Sequence, residues 1–303
     1  MANSEPEVPD ERPVAFVLSG GGSMGAVQVG MLQALYEREI APDLLIATSA
    51  GTLNGAYIAS RPPVPQTADE LAEIWIGLRR KDVFPVPVTT GLLALLGRRN
   101  HFSSLRGLRR LVSRWVGFDT LDEAPVPLSV MATDVLTGVG ARLAAGPVES
   151  ALLASAAIPG VFPPVRHEGR EYIDGGVTNN TPIAHAIGLG ARTVYVLPGG
   201  YACDLDQPPG TVPSMAAHAI TLLLHRQVIS DLAHVPENVA LVVLPPLCPL
   251  SVSGGDFSRA AELIAESRSR SREFLDSLAP GQRHAVPDLM RCFTHPHHDT
   301  AAG

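Results

Sequence analysis

Residues 44–51 read LLIATSAG, an apolar run that ends in small residues around Ser49. Such a run is typical of a strand buried on both faces of a parallel sheet. The small residues that follow, up to Ala59, predict a helix. A serine at a sharp strand-to-helix turn is typical of a nucleophile elbow, in which small neighbours let the hydroxyl project from a strained backbone. The stretch therefore predicts an α/β fold with Ser49 as a candidate nucleophile, the alternative being a serine that only caps the helix.

Strand and helix patterns alternate on both sides of this stretch. The sequence predicts strands at 14–19, 44–48, 126–134, 141–144, 171–174, 193–197 and 239–244. It predicts helices at 26–38, 52–59, 68–80, 149–157, 182–189, 214–232 and 256–278. This order indicates a parallel sheet that helices cover on both faces.

The 303 residues, 46% hydrophobic and 17% charged, are enough for a large core. We expect a single domain over residues 14–280, with a candidate cap at 83–101 where prolines flank an apolar patch. Residues 1–13 are acidic and proline-rich and are predicted to be disordered, and 281–303 are predicted to form a loose tail.

Charge and cysteine content limit the classes of binding partner and the cellular compartment that we expect for this chain. A net charge of -7 disfavours nucleic acid. Three cysteines without close pairing suggest neither a disulfide framework nor a zinc site, which fits a reducing compartment. The N-terminus lacks a signal-peptide pattern, and no apolar run reaches the ~18 residues that span a bilayer. We therefore expect a cytoplasmic protein whose membrane contact, if it has one, is peripheral.

One basic cluster stands out against the acidic total. It comprises Arg98, Arg99, Arg106, Arg109 and Arg110. We interpret it as a solvated helix face, with contact to anionic lipid or substrate head groups as the alternative.

A glycine run, Gly20, Gly21 and Gly22, follows the first predicted strand and precedes Ser23, Met24 and Gly25. At a strand-to-helix junction the first N–H groups of the helix have no internal partners and can face an anion. The run also fits G-x-G-x-x-G, but dinucleotide binding would require an acidic residue at the end of the second strand. That strand ends in Thr48 and Ser49 instead, which favours an oxyanion over a nucleotide phosphate.

A candidate base, Asp174, ends another predicted strand and precedes Gly175 and Gly176. Burial would raise the pKa of this carboxyl toward the range in which it can accept a proton from a hydroxyl at neutral pH. An Asp-Gly pair is also an ordinary turn, so the pattern alone leaves both interpretations open.

Taken together, these motifs resemble those of the patatin-like phospholipase family. Gly20–Gly22 with Gly25 resemble its oxyanion loop, Ala47 to Gly51 its G-x-S-x-G elbow, and Asp174-Gly175-Gly176 its D-G-G motif; residues 154–164, ASAAIPGVFPP, resemble the segment that precedes the aspartate strand. The resemblance spans about residues 14–182. It implies a three-layer α/β/α fold with a mainly parallel central sheet and a Ser49–Asp174 dyad that cleaves lipid or simpler esters through an acyl-enzyme, without metal or cofactor.

Two positions depart from the family pattern. Ala47 stands where the elbow usually has glycine, and we expect its methyl group to be tolerated. Met24 stands where the oxyanion loop usually carries Arg or Lys, which suggests a preference for neutral esters over anionic phospholipids.

Three alternatives remain open from the sequence. The chain could be a catalytically weak patatin-fold protein that binds lipid or a partner, or a nucleotide-binding protein. It could also carry a Ser-Asp-His triad of the α/β-hydrolase type, with His218, His225 or His234 in the required order after Asp174. The sequence does not predict an oligomeric state.

Overall fold

A computed structural model describes residues 11–85, 99–200, 205, 207–248 and 254–290. Within these residues a nine-stranded sheet runs in the order β5-β6-β3-β2-β1-β7-β8-β9, and β4 pairs with β3. The strands are β1 (Val14–Leu18), β2 (Leu44–Thr48), β3 (Leu128–Asp134), β4 (Gly140–Leu143), β5 (Val165–His167), β6 (Arg170–Asp174), β7 (Thr193–Leu197), β8 (Ala240–Val243) and β9 (His284–Ala285).

Helices separate most of the parallel strands. They are α1 (Gly25–Tyr36), α2 (Ala50–Ala59), α3 (Pro65–Gly77), α4 (Arg80–Val83), α5 (Arg106–Trp115), α6 (Val148–Ser155), α7 (Ile183–Gly188), α8 (Val212–Leu232) and α9 (Ala260–Asp276). Within the described ranges, no helix combines the length and the hydrophobicity of a bilayer-spanning segment.

The two faces of β1 show how the layers form. Phe16 and Leu18 pack into a core cluster shared with α1, α2, α3, α5, α6 and α9. Ala15 and Val17 point into a second cluster with residues of α7 and α8. Alternate residues of a strand face opposite sides of the sheet, so an apolar run such as VAFVL is buried on both. The three-layer α/β/α fold expected from the sequence is confirmed.

The sheet is parallel except at one end. Strands β3, β2, β1, β7, β8 and β9 run parallel, whereas β6 runs antiparallel to β3 and β5 antiparallel to β6. Glu168 and Gly169, both with positive φ, join β5 to β6 in a tight hairpin. The strand that ends at Asp174 therefore runs opposite to both of its neighbours, β3 and β5.

The arginine-rich segment forms α5, with exposed arginines and with Leu108, Leu111 and Val112 buried, which agrees with its interpretation as a solvated helix face. The two ends of the chain differ from the sequence prediction. The tail predicted to be loose contributes β9 to the sheet, and Met290 is buried. Before Val14, the Glu11 carbonyl accepts a hydrogen bond from Thr193 Oγ1 at 2.9 Å.

Cys248 is disulfide-bonded, although the spacing of the cysteines suggested no disulfide framework. Spacing along the chain does not reveal a bridge between cysteines that only the fold brings together. The other two cysteines, the patch 91–96 and most of the candidate cap at 83–101 lie outside the described residues.

Candidate active site

Ser49 occupies the turn between β2 and α2. Its backbone has φ 53° and ψ -121°, a conformation that a non-glycine residue adopts only when its surroundings enforce it. Its N–H donates to Ser155 Oγ at 3.1 Å, and Ser155 Oγ lies 2.8 Å from Thr52 Oγ1. Ser155, at the end of α6, thus holds the backbone of the turn through this hydrogen bond. This role of Ser155 is not evident from the sequence.

Small residues on both sides of Ser49 make the turn possible. A methyl group at Gly51 would lie 2.4 Å from the Leu18 carbonyl oxygen, so the neighbouring strand end leaves room only for glycine. The methyl group of Ala47, where glycine is usual in such elbows, is completely buried in the core. Alanine is therefore accommodated at this position.

Asp174 lies against Ser49 at the end of β6. Its Oδ2 accepts a hydrogen bond from Ser49 Oγ at 2.6 Å, and its Oδ1 accepts one from the Gly176 N–H at 2.7 Å. The Asp174 N–H donates to the Ala157 carbonyl at 2.9 Å, which fixes the backbone. Gly175 is held against the Met131 carbonyl, 2.2 Å from where a Cβ would stand. The glycines after Asp174 thus let the chain turn tightly beside β3.

The environment of Asp174 suits a base. Burial raises the pKa of its carboxyl to about 6, and the hydrogen bonds from Ser49 and Gly176 lower it only in part. A carboxylate with such a pKa is ionised at pH 7 and has a greater affinity for a proton than an exposed aspartate.

The glycine run lies beside the serine. A Cβ at Gly20 would stand 3.1 Å from Ser49 Cβ, and the Gly20 N–H donates to the Asn180 carbonyl at 3.3 Å. The N–H groups of Gly21 and Gly22 have no hydrogen-bond partner among the described residues. Of the three glycines, Gly21 and Gly22 are therefore available to bind an anion.

Two further glycine-loop residues have structural roles. Gly25 packs against the Trp75 ring, whose nearest carbon is 2.6 Å from where a Cβ would stand. Met24 is 94% buried, part of the core beside Gly21. A cationic side chain in the position of Met24 would be placed in this apolar environment.

An apolar pocket opens beside Ser49. Its volume is about 410 Å³ with its open mouth included. Apart from Gly22, Ser49, Ala50 and Ala156, its lining consists of large apolar side chains: Leu53, Trp75, Leu78, Val83, Phe84, Leu108, Leu111, Ile158, Phe162 and Phe257. Phe84 stacks on Phe162 with ring centroids 5.5 Å apart, and Trp75 stacks on Phe257 at 6.1 Å. A hydrocarbon chain can lie in such a pocket with its reacting end at Ser49.

The geometry disfavours two of the alternatives. The direct 2.6 Å contact leaves no room for a histidine between Ser49 and Asp174. His218 and His225 are half-exposed on α8, as expected of a helix stripe. A phosphate at the glycine loop would face the Asp174 carboxylate, which repels it.

The family model described as "Patatin-like phospholipase" matches residues 16–187. The chain is 29% identical over 180 residues to an uncharacterized NTE family protein, Rv1063c, of Mycobacterium tuberculosis, a match that covers 59% of this chain and 46% of that protein. It is 27% identical over 218 residues to the lysophospholipase nte1 of Aspergillus terreus, covering 70% of this chain and 13% of that protein. These matches thus span less than half the length of either relative.

Among solved structures, VipD from Legionella pneumophila aligns with a TM-score of 0.45 at 16% identity, over 88% of this chain and 67% of that one. The family assignment is based on the sequence match, which contains the glycine loop, Ser49 and Asp174 and covers more than half of the chain. The chain belongs to the patatin-like phospholipase family.

Proposed function

We propose that this protein hydrolyses carboxylic esters of lipids with Ser49 as nucleophile and Asp174 as general base. The 2.6 Å hydrogen bond from Ser49 Oγ to Asp174 Oδ2 is the observation that carries the proposal. It joins a hydroxyl to a carboxylate whose pKa is raised to about 6 by burial. The family supports a lipid hydrolase; the roles of the two residues are our inference.

The first half of the reaction forms an acyl-enzyme. Asp174 takes the proton of Ser49 as Oγ attacks the ester carbonyl carbon, and the negative charge passes to the carbonyl oxygen. The N–H groups of Gly21 and Gly22 stabilise this oxyanion. When the intermediate collapses, the bond to the leaving oxygen breaks, and protonated Asp174 gives its proton to the departing alcohol.

The second half releases the acid. Asp174, ionised again, takes a proton from a water molecule that attacks the acyl carbonyl. The same two N–H groups stabilise the second oxyanion. The Ser49 oxygen then leaves with the proton that Asp174 holds, and the fatty acid is released.

The apolar pocket supports an acyl chain as the bound group. Its wall beside Ser49 is formed almost entirely by aliphatic and aromatic side chains, so it would bind hydrocarbon and exclude a polar head group. The ester carbonyl would then lie at Ser49 and the head group at the pocket mouth.

A substrate panel tests this proposal. We expect turnover of phospholipid, lysophospholipid, acylglycerol or short-chain ester by the native chain, and a loss on the order of 10⁴-fold or more in Ser49→Ala. Ser277→Ala, which removes an exposed hydroxyl at the end of α9, is the matched control and should keep full activity. Equal turnover by the native chain and Ser49→Ala would overturn the proposal. A folded chain that binds these lipids without turnover would instead support the weak lipid-binding alternative.

A further inference from the structure

The outer side of α5 carries a concentrated positive charge. Arg106, Arg109, Arg110 and Arg114 recur at helical spacing and are exposed, while Leu108 and Leu111 on the same helix are buried. We call these four arginines the basic face. Between residues 79 and 114 the sequence has nine Lys and Arg against one acidic residue, in a chain of net charge -7.

In the part of the chain that the structure describes, most of this charge has no carboxylate partner. Among the described residues, Arg109 alone of the four pairs with a carboxylate, its Nε being 3.3 Å from Glu149 Oε1. The arginines of α9 behave differently: Arg268 and Arg272 both pair with Glu37, and Arg270 pairs with Glu266. The basic face therefore has charge available for an external anion.

The helix that bears the basic face also forms a wall of the pocket. Leu108 and Leu111, on the inner side of α5, line the cavity that contains Ser49. Neighbouring α4 packs against α5 at Gly107, where a Cβ would stand 2.2 Å from the Asp82 carbonyl oxygen. Arg80 and Lys81 of α4 are exposed and add to the charge. A surface held against the basic face would lie about one helix diameter, ~10 Å, from the pocket.

We propose that the basic face docks this protein on an anionic lipid bilayer surface. The negative surface potential of anionic lipids attracts basic residues on a surface helix, and each such residue increases the membrane affinity about fivefold. An extended negative surface matches cations spread over two and a half turns of helix better than a single head group does. The inference deepens the proposed function, since it rests on a lipid substrate and gives the surface from which that substrate is taken.

Vesicle sedimentation tests the docking without requiring turnover. The full chain bearing Ser49→Ala is mixed with vesicles of phosphatidylcholine alone or with added phosphatidylserine. We expect binding to the anionic vesicles that falls with added salt, because surface charges are screened. In Arg106→Gln/Arg110→Gln/Arg114→Gln this binding should fall by at least about tenfold.

A matched variant controls for net charge. Arg166, Arg170 and Arg192 are exposed outside α4 and α5, so Arg166→Gln/Arg170→Gln/Arg192→Gln removes the same charge elsewhere. It should keep the binding of the parent. Equal loss in both variants, or equal binding to neutral and anionic vesicles, would overturn the docking. Binding of duplex DNA through the basic face without vesicle binding would overturn it in favour of another polyanion.

Hydrolysis separates this proposal from the proposed function. With Ser49 restored, the basic-face variant should hydrolyse a soluble short-chain ester at the native rate and anionic vesicles several-fold more slowly. Unchanged hydrolysis of anionic vesicles would contradict the docking. Absence of ester hydrolysis by the native chain, with vesicle binding still dependent on the basic face, would contradict the proposed function and leave the docking standing.

Discussion

The two walls of the site are built in different ways. The polar wall, comprising Gly20–Gly22, Ser49 and Asp174, is fixed by backbone: glycines pressed against carbonyl groups, a strained turn and short hydrogen bonds. The apolar wall is formed by side chains of helices and loops, with stacked rings such as Phe84 and Phe162. Changes in the polar wall should therefore alter the chemistry, and changes in the apolar wall should alter which chain is accepted.

The largest effect is expected when Asp174, the proposed base of the polar wall, is replaced. Asp174→Asn cannot accept the Ser49 proton, so kcat on a short-chain ester should fall by about 10³-fold or more.

The same variant should also change stability. Asp174 has a pKa raised to about 6, and its ionised form therefore destabilises the folded state. This cost is absent below pH ~4 and full above pH ~6, where the variant should gain up to about 3 kcal/mol. Urea unfolding of the native chain and of the variant at pH 8 measures this gain in the free energy of unfolding. A native value of kcat in Asp174→Asn would exclude Asp174 as the base.

The next effect concerns the oxyanion donors. Gly22 has φ 61°, and a Cβ there would meet the Gly254 carbonyl oxygen at 2.4 Å, so Gly22→Ala must shift the loop. We expect kcat to fall by about 10²-fold, as when an oxyanion donor is lost. Gly138 has a similar φ of 68° but open space around its Cα, so Gly138→Ala has the same backbone strain without touching the site. It should lose only stability, about 1 kcal/mol. Similar kcat values for the two variants would count against the donors assigned here.

A third effect is the pH dependence of the polar wall. Asp174 must be ionised to act as a base, and its pKa is raised to about 6. The rate kcat/KM on a neutral ester should rise about tenfold per pH unit below 6 and level off above it. The residual rate of Asp174→Asn should lack this inflection. A native profile that is flat between pH 5 and 7, at about constant stability, would contradict the assignment.

The smallest effect should come from the apolar wall. Leu111→Trp fills part of the pocket beside Ser49. We expect kcat/KM for long-chain esters to fall by about tenfold, and that for a short-chain ester to change by less than about threefold. The short-chain ester also serves as the control for folding. A uniform loss for all chain lengths would mean that Leu111 supports the structure and does not select the chain.

Much of the fold follows from local sequence. The run at 44–51 indicates a buried strand followed by a sharp turn, because its first residues are apolar and its last residues are small. Asp174 is likewise indicated by local pattern, since it ends a predicted strand and two glycines follow it. Local pattern does not give strand direction, however: β6 lies antiparallel to β3, and only the pairing of Asp174 with Ala132 brings its carboxylate to Ser49.

Contacts between distant segments could not be predicted. The Gly20 N–H donates to the Asn180 carbonyl, which leaves Gly21 and Gly22 as the proposed donors to the oxyanion. Ser155 holds the Ser49 N–H from another helix. The disulfide at Cys248 is of the same kind. The two hydrogen bonds join residues more than a hundred positions apart, and the spacing of the cysteines does not indicate the disulfide. The sequence therefore indicates the candidate catalytic residues but not the contacts that hold them in place.

The most direct test of the Ser49–Asp174 pair is covalent labelling. An activated serine reacts with a fluorophosphonate to form a stable adduct, whereas an ordinary buried or capping serine does not. Intact-mass and peptide analysis of the labelled native chain should find one adduct per molecule, on Ser49. The adduct should be absent in Ser49→Ala and should form much more slowly in Asp174→Asn. Labelling that persists in Ser49→Ala, or a folded native chain that does not react, would contradict the central claim.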